Sequence, residues 1–239
     1  MNPPHELVAR EPVGAEPAAD QAREDSLVER YRRMAHEFRP GPVDRTLRAL
    51  DVLVGSTLLA MASPVLAVCA LAVLASGGRP LLYRGARVGR AGHIFQMYKL
   101  RTLRVDAETR LGPYLGPELR RLTAQETTPV GRVLRATKLD ELPQLWNVVI
   151  GDMSLVGPRP IRPGFFEELC EGIPAYWQRL VVRPGMTGLA QLRLSPEMTW
   201  EEKLAHDFEY IADRSPGLYA AVLAQTVATV AGRVFGGEA

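Results

Sequence analysis

The sequence predicts a mainly helical α+β chain. It combines a re-entrant membrane hairpin helix, broken at Ser63-Pro64, with a small domain on the cytosolic face that has amphipathic interfacial helices. Two observations predict this class. Residues 52–75 contain no charged side chain, and as one helix they would be about 36 Å long, enough to cross a bilayer. After residue 79 the chain turns polar, and short β-favouring runs alternate with stripes of apolar residues at helical spacing.

The 239 residues are enough for one domain of ordinary size with appendages. Residues 1–40 are predicted to be a disordered or loosely ordered tail, because their first 25 residues are rich in Pro, Ala and acids without apolar periodicity. Residues 41–78 are assigned to the re-entrant helix. Residues 79–239 are assigned to the domain on the cytosolic face.

The overall charge excludes some classes of partner. The formal net charge is only +2, which is too balanced to indicate nucleic-acid binding, and no nucleic-acid partner is expected. Residues 1–25 hold six acids and two arginines, so the rest of the chain carries a net charge of +6. Cys69 and Cys170 lie in apolar surroundings without metal-ligand spacing, which favours two buried thiols over a disulfide or a zinc site.

The charges that flank the apolar run favour a hairpin over a simple span. Arginines precede the run and follow it: Arg45, Arg48, Arg79, Arg84, Arg87 and Arg90. Because basic residues favour the cytoplasmic side, one span cannot satisfy both flanks. Pro64 near the middle removes a backbone hydrogen bond and favours a bend. Two halves of about 17 Å each would enter and leave through one leaflet. The alternative, a buried core helix, is disfavoured because the remaining chain could barely cover it.

Further elements are predicted along the polar part of the chain. Residues 81–103 contain short β-favouring runs broken by glycines, which predicts a small hairpin. The run "QLWNVVIG" after Pro143 predicts a buried helix. Trp200, Leu204, Phe208 and Ile211 form an apolar helical stripe, typical of core packing or of an interfacial helix.

The stretch "LDELPQLWNVVIGDMSLVGPRP" places two adjacent acids, Asp140 and Glu141, among many arginines. A helix start can use acids for purely structural reasons. Together with basic residues, however, paired acids are typical of phosphoryl transfer, in which one carboxylate can hold Mg²⁺ and a second can act as a nucleophile. Six basic residues surround the pair in sequence, namely Lys99, Arg101, Arg132, Arg135, Arg159 and Arg183. Walker-type and G-x-G-x-x-G nucleotide loops are absent from the sequence.

Three long blocks resemble a known family. The blocks "RVGRAGHIFQMYKLRTL", "GRVLRATKLDELPQLWNVVIGDMSLVGPRP" and "VRPGMTGLAQL" resemble the signature blocks of the bacterial sugar transferases called monotopic polyprenyl-phosphate phosphoglycosyl transferases. The resemblance runs from about residue 44 to about residue 233 and includes the apolar run with its Ser-Pro pair. It is closest to the short, minimal catalytic form of the family.

The resemblance implies a two-step transfer with Mg²⁺ as cofactor. An aspartate attacks the β-phosphate of a UDP-sugar, UMP leaves, and a membrane polyprenyl phosphate, undecaprenyl phosphate by expectation, takes the sugar-1-phosphate from the enzyme. Asp140 matches the nucleophile and Glu141 the second catalytic acid, which binds the metal. Five residues match basic positions implied to bind the substrate phosphates, namely Lys99, Arg101, Arg135, Arg159 and Arg183. Asp152 and Asp207 also fall on family-like positions, for which structural caps or salt bridges are equally good explanations.

The same resemblance implies a place in the cell and in metabolism. The enzyme is expected at the bacterial inner (cytoplasmic) membrane, with residues 79–239 as a catalytic domain on the cytoplasmic face. It would initiate the synthesis of an exopolysaccharide, a capsule, an O-antigen or a protein-linked glycan. The oligomeric state stays open between a monomer and a homodimer.

Two alternatives come from other functional classes. The first is a catalytically inactive membrane scaffold of a glycan-assembly complex. Substitution of the two acids would favour this hypothesis, and here both acids are intact. The second is a direct glycosyltransferase or a multi-span lipid-phosphate transferase. A D-x-D motif or several apolar spans would support these hypotheses, and the sequence has neither.

Overall fold

The computed structural model describes residues 40–105, 107, 116–195 and 197–235. This part of the chain is mainly helical with two small sheets, which confirms the predicted α+β class. Apart from Pro40, the predicted tail lies outside the described residues.

The helices and strands of the described part are as follows. The helices are α1 Pro42–Gly77, α2 Gly116–Glu126, α3 Pro129–Ala136, α4 Gln144–Ile150, α5 Pro163–Gly172, α6 Leu189–Leu192, α7 Trp200–Asp213 and α8 Pro216–Phe235. The strands are β1 Leu82–Val88, β2 Ile94–Leu100, β3 Ser154–Val156 and β4 Gly185–Thr187. Short 3-10 turns cover Arg90–Gly92, Leu139–Glu141 and Tyr176–Val181.

Helix α1 contains the whole apolar run. Pro42 occupies its first turn, where a missing N–H costs nothing, and the Asp44 carboxylate accepts a 2.8 Å hydrogen bond from the Gly41 N–H. The helix ends at Gly77 and is capped by Gly78, whose φ of 67° is readily adopted by glycine. By length and composition α1 could cross a membrane, and only 11% of its most apolar window is buried.

The helix is not interrupted at the predicted break, because α1 runs through Pro64 from Pro42 to Gly77; a proline can bend a helix without ending it. Proline has no N–H to donate to the carbonyl four residues earlier, which belongs to Ala60. The Ser63 hydroxyl donates to that carbonyl at 2.8 Å instead. The serine therefore replaces the hydrogen bond that the proline removes, and the helix continues.

Both ends of α1 pack against the same folded part of the chain. Its buried residues are Leu47, Asp51, Gly55, Cys69 and Val73. The start of α1 packs on α4, where Val148 lies against Gly55. The end of α1 packs in a cluster with Leu100 of β2 and Leu134 of α3. Between these ends, residues 56–68 include no buried residue.

The predicted hairpin is confirmed, and the run after Pro143 is helical as predicted but buried on one side only, because Trp146 and Ile150 are half exposed. Strands β1 and β2 pair antiparallel with Tyr83 opposite Lys99. Asn147 of α4, which is fully buried, fastens β2 to this helix. Its side-chain oxygen accepts from the Tyr98 N–H at 3.0 Å, and its side-chain amide donates to the Gln96 carbonyl at 2.8 Å. Strand β2 and helix α4 are thereby held in one register.

Strands β3 and β4 form a second, parallel pair, with Ser154 opposite Gly185 and Val156 opposite Thr187. Val156 belongs to the main hydrophobic core. The backbones come very close there, because a Cβ added at Gly185 would lie 2.1 Å from the Gly157 nitrogen. Only glycine fits at this position. The close approach fixes the loop that carries Arg159.

Candidate active site

The acidic pair lies in the 3-10 turn Leu139–Glu141, between α3 and α4, rather than inside α4. The turn is entered through Lys138, whose φ of 61° is a left-handed conformation that costs a non-glycine residue about 1 kcal/mol or more. Its carbonyl accepts the Glu141 N–H at 3.1 Å. The surrounding structure thus holds the acids on a constrained piece of backbone.

Asp140 is almost fully enclosed, with 7% of its surface exposed. Its Oδ1 atom is buried and has no hydrogen-bond partner among the described residues. Burial raises the pKa of this carboxyl above its ordinary value, and the neighbouring Glu141 raises it further, while Lys99, Lys138 and Arg135 act in the opposite direction. The result is a buried carboxylate oxygen without a hydrogen-bond partner among the described residues and with cations nearby, which is a suitable state for a nucleophile.

Glu141 differs from its neighbour because it has a direct partner. The Lys99 ammonium on β2 donates to Glu141 Oε1 at 2.7 Å. Burial by itself would raise the pKa of Glu141, but the charge and hydrogen bond of Lys99 bring it below its usual value. Glu141 therefore stays ionised, and Lys99 is held beside both acids.

Two of the predicted phosphate-binding arginines lie at the pair. Arg135 donates its Nε to the Thr102 hydroxyl at 2.8 Å, and its charge lowers the pKa of Asp140. The charge of Arg159 lowers the pKa of Glu141 and also that of Lys99. With Lys99, three of the five predicted basic residues gather around the acidic pair.

The structure gives Arg101 and Arg183 another role. The Arg101 guanidinium donates to the carbonyls of Gly77 and Gly78 at 2.8 Å each, at the end of α1. Arg183 donates its Nε to the Gly151 carbonyl at 2.8 Å, at the end of α4. Carbonyls at a helix C-terminus lack partners within the helix and attract cations. The two arginines serve these helix ends and are not brought to the acidic pair, so their phosphate-binding role stays a prediction.

Sequence reasoning missed three basic residues near the site. Lys138 acts on the pKa of both acids. A bridge between Val88 and Ile161 sets Arg87 opposite Arg162, and Arg87 is buried with a pKa lowered by burial and by nearby cations. The signal for Arg87 was its place in the "RVG" block, whereas nothing in the sequence connects it with Arg162.

The fit of Mg²⁺ depends on the donor set. The described residues contain no group of three His, Cys, Asp or Glu side chains that could hold a metal ion. Mg²⁺ commonly uses one or two carboxylates together with substrate phosphates. The ionised Glu141 carboxylate, adjacent to Asp140, fits that pattern. Glu141 would hold Mg²⁺ in company with a bound diphosphate.

These features define a class of enzyme. A buried carboxylate with a free oxygen, surrounded by lysine and arginine, is suited to phosphoryl transfer, and here it belongs to a domain attached to a long apolar helix. The family model described as "Bacterial sugar transferase" matches residues 43–233. The chain belongs to the bacterial sugar transferase family.

Characterised relatives agree with this membership. The chain is 38% identical over 187 residues to a UDP-glucose:undecaprenyl-phosphate glucose-1-phosphate transferase of Caulobacter vibrioides, covering 73% of this chain and 67% of the relative. It is 31% identical over 195 residues to a UDP-N-acetylgalactosamine-undecaprenyl-phosphate N-acetylgalactosaminephosphotransferase of Aeromonas hydrophila, covering 80% and 45%. An undecaprenyl-phosphate galactose phosphotransferase of Salmonella typhimurium is 34% identical over 193 residues, covering 77% and 40%. The chain thus spans less than half the length of the last two.

Proposed function

We propose that this chain transfers a sugar-1-phosphate from a UDP-sugar to undecaprenyl phosphate, with Asp140 as the nucleophile. The observation that carries the proposal is the buried Asp140 Oδ1 atom, which has no hydrogen-bond partner among the described residues and lies among cations. The relatives named above, each of which acts by name on undecaprenyl phosphate, support the same reaction.

The transfer takes two displacements at one phosphorus atom. Asp140 Oδ1 attacks the β-phosphorus of the donor, the bond to the bridging oxygen breaks, and UMP leaves with the electron pair. The sugar phosphate is then an acyl phosphate on Asp140. An oxygen of the lipid phosphate attacks the same phosphorus and returns the Asp140 carboxylate. The product is a lipid diphosphate sugar.

The basic side chains around the pair stabilise the charge that develops on the phosphate oxygens. Lys99 lies on the Glu141 side, where its ammonium can pass from Glu141 Oε1 to a phosphate. Arg135 and Arg159 approach from α3 and from the loop after β3. Glu141 would hold Mg²⁺, which supplies further positive charge for the diphosphate and its leaving group.

The membrane arrangement follows from the attachment of α1. Both of its ends contact the domain that carries the acidic pair, and that domain can lie on only one side of a bilayer. A re-entrant α1 that bends at Pro64 while staying helical, and so enters and leaves through the cytoplasmic leaflet of the inner membrane, satisfies this condition. Residues 56–68 would then be in the lipid.

Exposed apolar side chains near the acidic pair extend this lipid-facing surface. Val133 of α3, with Trp146 and Ile150 of α4, are about half exposed or more. Exposed apolar residues on α1 include Leu53, Leu58, Met61, Val65, Val68 and Leu71. A patch of this kind marks an interaction surface, and a tryptophan is typical of the headgroup level. The acidic pair would then lie at the depth of the lipid phosphate.

Cysteine labelling tests the re-entrant arrangement. With Cys69 and Cys170 replaced by alanine, single cysteines at Thr46→Cys and Arg79→Cys are expected to react with an impermeant maleimide only after the cytoplasmic side is made accessible. Both positions should behave alike, since both ends of α1 are on one side. Labelling of the two from opposite sides of the inner membrane would contradict the arrangement.

A UMP-release assay tests the reaction itself. The relatives differ by name in their sugars, so the panel contains UDP-glucose, UDP-galactose and UDP-N-acetylgalactosamine, with undecaprenyl phosphate and Mg²⁺. One donor should release UMP, and EDTA should lower the rate about 100-fold or more, since a metal on the diphosphate is worth several kcal/mol. Restored Mg²⁺ is the matched control. No release from any donor would favour the inactive scaffold.

A further inference from the structure

Asp51 lies in α1, immediately before the charge-free run, and yet only 2% of its surface is exposed. Its Oδ1 atom accepts three hydrogen bonds: from the Ser154 hydroxyl at 2.8 Å, the Leu155 N–H at 2.9 Å and the Tyr219 hydroxyl at 2.9 Å. The donors come from β3 and α8. One carboxylate therefore fastens the membrane helix to two other elements of the domain.

Two further residues on the same face of α1 extend this attachment. Arg48, one turn earlier, donates to the carbonyls of Val148 at 2.6 Å and Val149 at 2.8 Å, which end α4. Gly55, one turn later, lies so close that an added Cβ would be 3.1 Å from Val148 Cγ1. Arg48, Asp51 and Gly55, with the groups they contact, are called the clamp below.

The clamp is separate from the contacts that hold the acidic pair. Lys99 bonds to Glu141, and Arg135 bonds to Thr102, and neither bond includes a residue of α1. The clamp grips the far end of α4, which at seven residues is about 10 Å long. Loosening the clamp therefore changes how α1 sits on the domain while the contacts around Asp140 remain.

We infer that Asp51 is a positioning residue for the lipid half of the reaction. The clamp fixes the height of Asp140 relative to α1, and through α1 relative to the bilayer, so that a phosphate at headgroup level reaches the acyl phosphate. This inference rests on the proposed function. The UDP-sugar is soluble and finds the site at any height, whereas the lipid phosphate is confined to one plane, where a displacement of about 1 Å can cost about 100-fold in rate.

The test compares three rates in the full chain reconstituted into lipid vesicles. They are the UMP burst without acceptor, turnover with a short water-soluble prenyl phosphate, and turnover with undecaprenyl phosphate in the vesicles. For Asp51→Ala we expect the first two rates to stay within about threefold of wild type and kcat/KM for undecaprenyl phosphate to fall about tenfold or more. Asp51→Asn should lose less, because its side-chain oxygen can still accept hydrogen bonds.

Two variants keep the result decisive. Thr57→Ala, on the exposed side of α1, removes only a local hydrogen bond to Leu53 and should change none of the three rates. Tyr219→Phe removes one donor of the clamp and should lower the undecaprenyl phosphate rate alone, by about threefold. If Asp51→Ala does not fold, the rates of Tyr219→Phe test the positioning role in its place.

An equal loss of all three rates, or no loss of the undecaprenyl phosphate rate, would overturn the positioning role. Failure of the proposed function is a different result, because the wild type itself would then give no UMP burst.

Discussion

Asp140→Asn is expected to lower UMP release by about 10⁴-fold or more, the scale on which loss of a covalent nucleophile acts. The amide has nearly the same shape, but it cannot attack phosphorus and form an acyl phosphate. Because Asp140 Oδ1 has no hydrogen-bond partner among the described residues, the substitution breaks no structural contact there. The melting temperature should therefore stay at the wild-type value or rise.

The measurement is UMP release with the donor that the panel identifies, together with a thermal melt. Asp213→Asn, an exposed carboxylate at the end of α7, is the matched control and should leave both values unchanged. Substantial UMP release by Asp140→Asn would contradict covalent catalysis at this residue. A large fall in its melting temperature would instead show that Asp140 supports the fold.

Asp207→Ala is expected to have the largest effect on stability. The Asp207 carboxylate accepts from the Arg179 guanidinium at 2.7 Å, with side chains that are 6% and 5% exposed. Removing one partner of a buried pair leaves a buried, uncompensated charge and costs about 3–5 kcal/mol. For a chain of this size the melting temperature should fall by about 10 °C. Arg179 also donates to the Arg159 carbonyl at 2.9 Å, so the KM for the donor should rise as well.

A surface pair on the same helix is the matched control. Glu209 pairs with Arg193 at the surface, where the two side chains are 40% and 44% exposed, so Glu209→Ala should leave the melting temperature close to wild type. If Asp207→Ala and Glu209→Ala had equally small effects, the buried pair would not be a main support of the core. The buried ion pair with Arg179 assigns Asp207 to salt bridging, one of the two structural explanations that the sequence left open.

The acidic pair, the hairpin and α4 could be predicted because their signals are local. Asp140 and Glu141 stand in one long block, and the hairpin and helix follow from residue patterns of a few turns. The continuity of α1 through Pro64 could not be predicted from the proline alone. Ser63 donates to the carbonyl that the proline leaves free, and a rule about proline alone does not include that bond.

Sequence reasoning also could not tell which basic residues lie at the acidic pair and which lie at helix ends. A surplus of arginines predicts phosphate binding, but carbonyls at helix ends attract the same side chains. Whether Arg101 meets a phosphate or the end of α1 depends on where α1 stops against β2. Arg87 and Arg162 are 75 positions apart in the sequence and become neighbours only through the bridge beside them. Sequence spacing carries no information about such contacts.

Intact-mass spectrometry of the full chain tests the central claim most directly. The protein is mixed with its UDP-sugar and Mg²⁺ without acceptor and is quenched under conditions that preserve acyl phosphates. We predict an added mass equal to one sugar phosphate, located on the peptide that contains Asp140 and removed by undecaprenyl phosphate. UMP release that begins only when undecaprenyl phosphate is added, with no added mass at any time, would contradict the account.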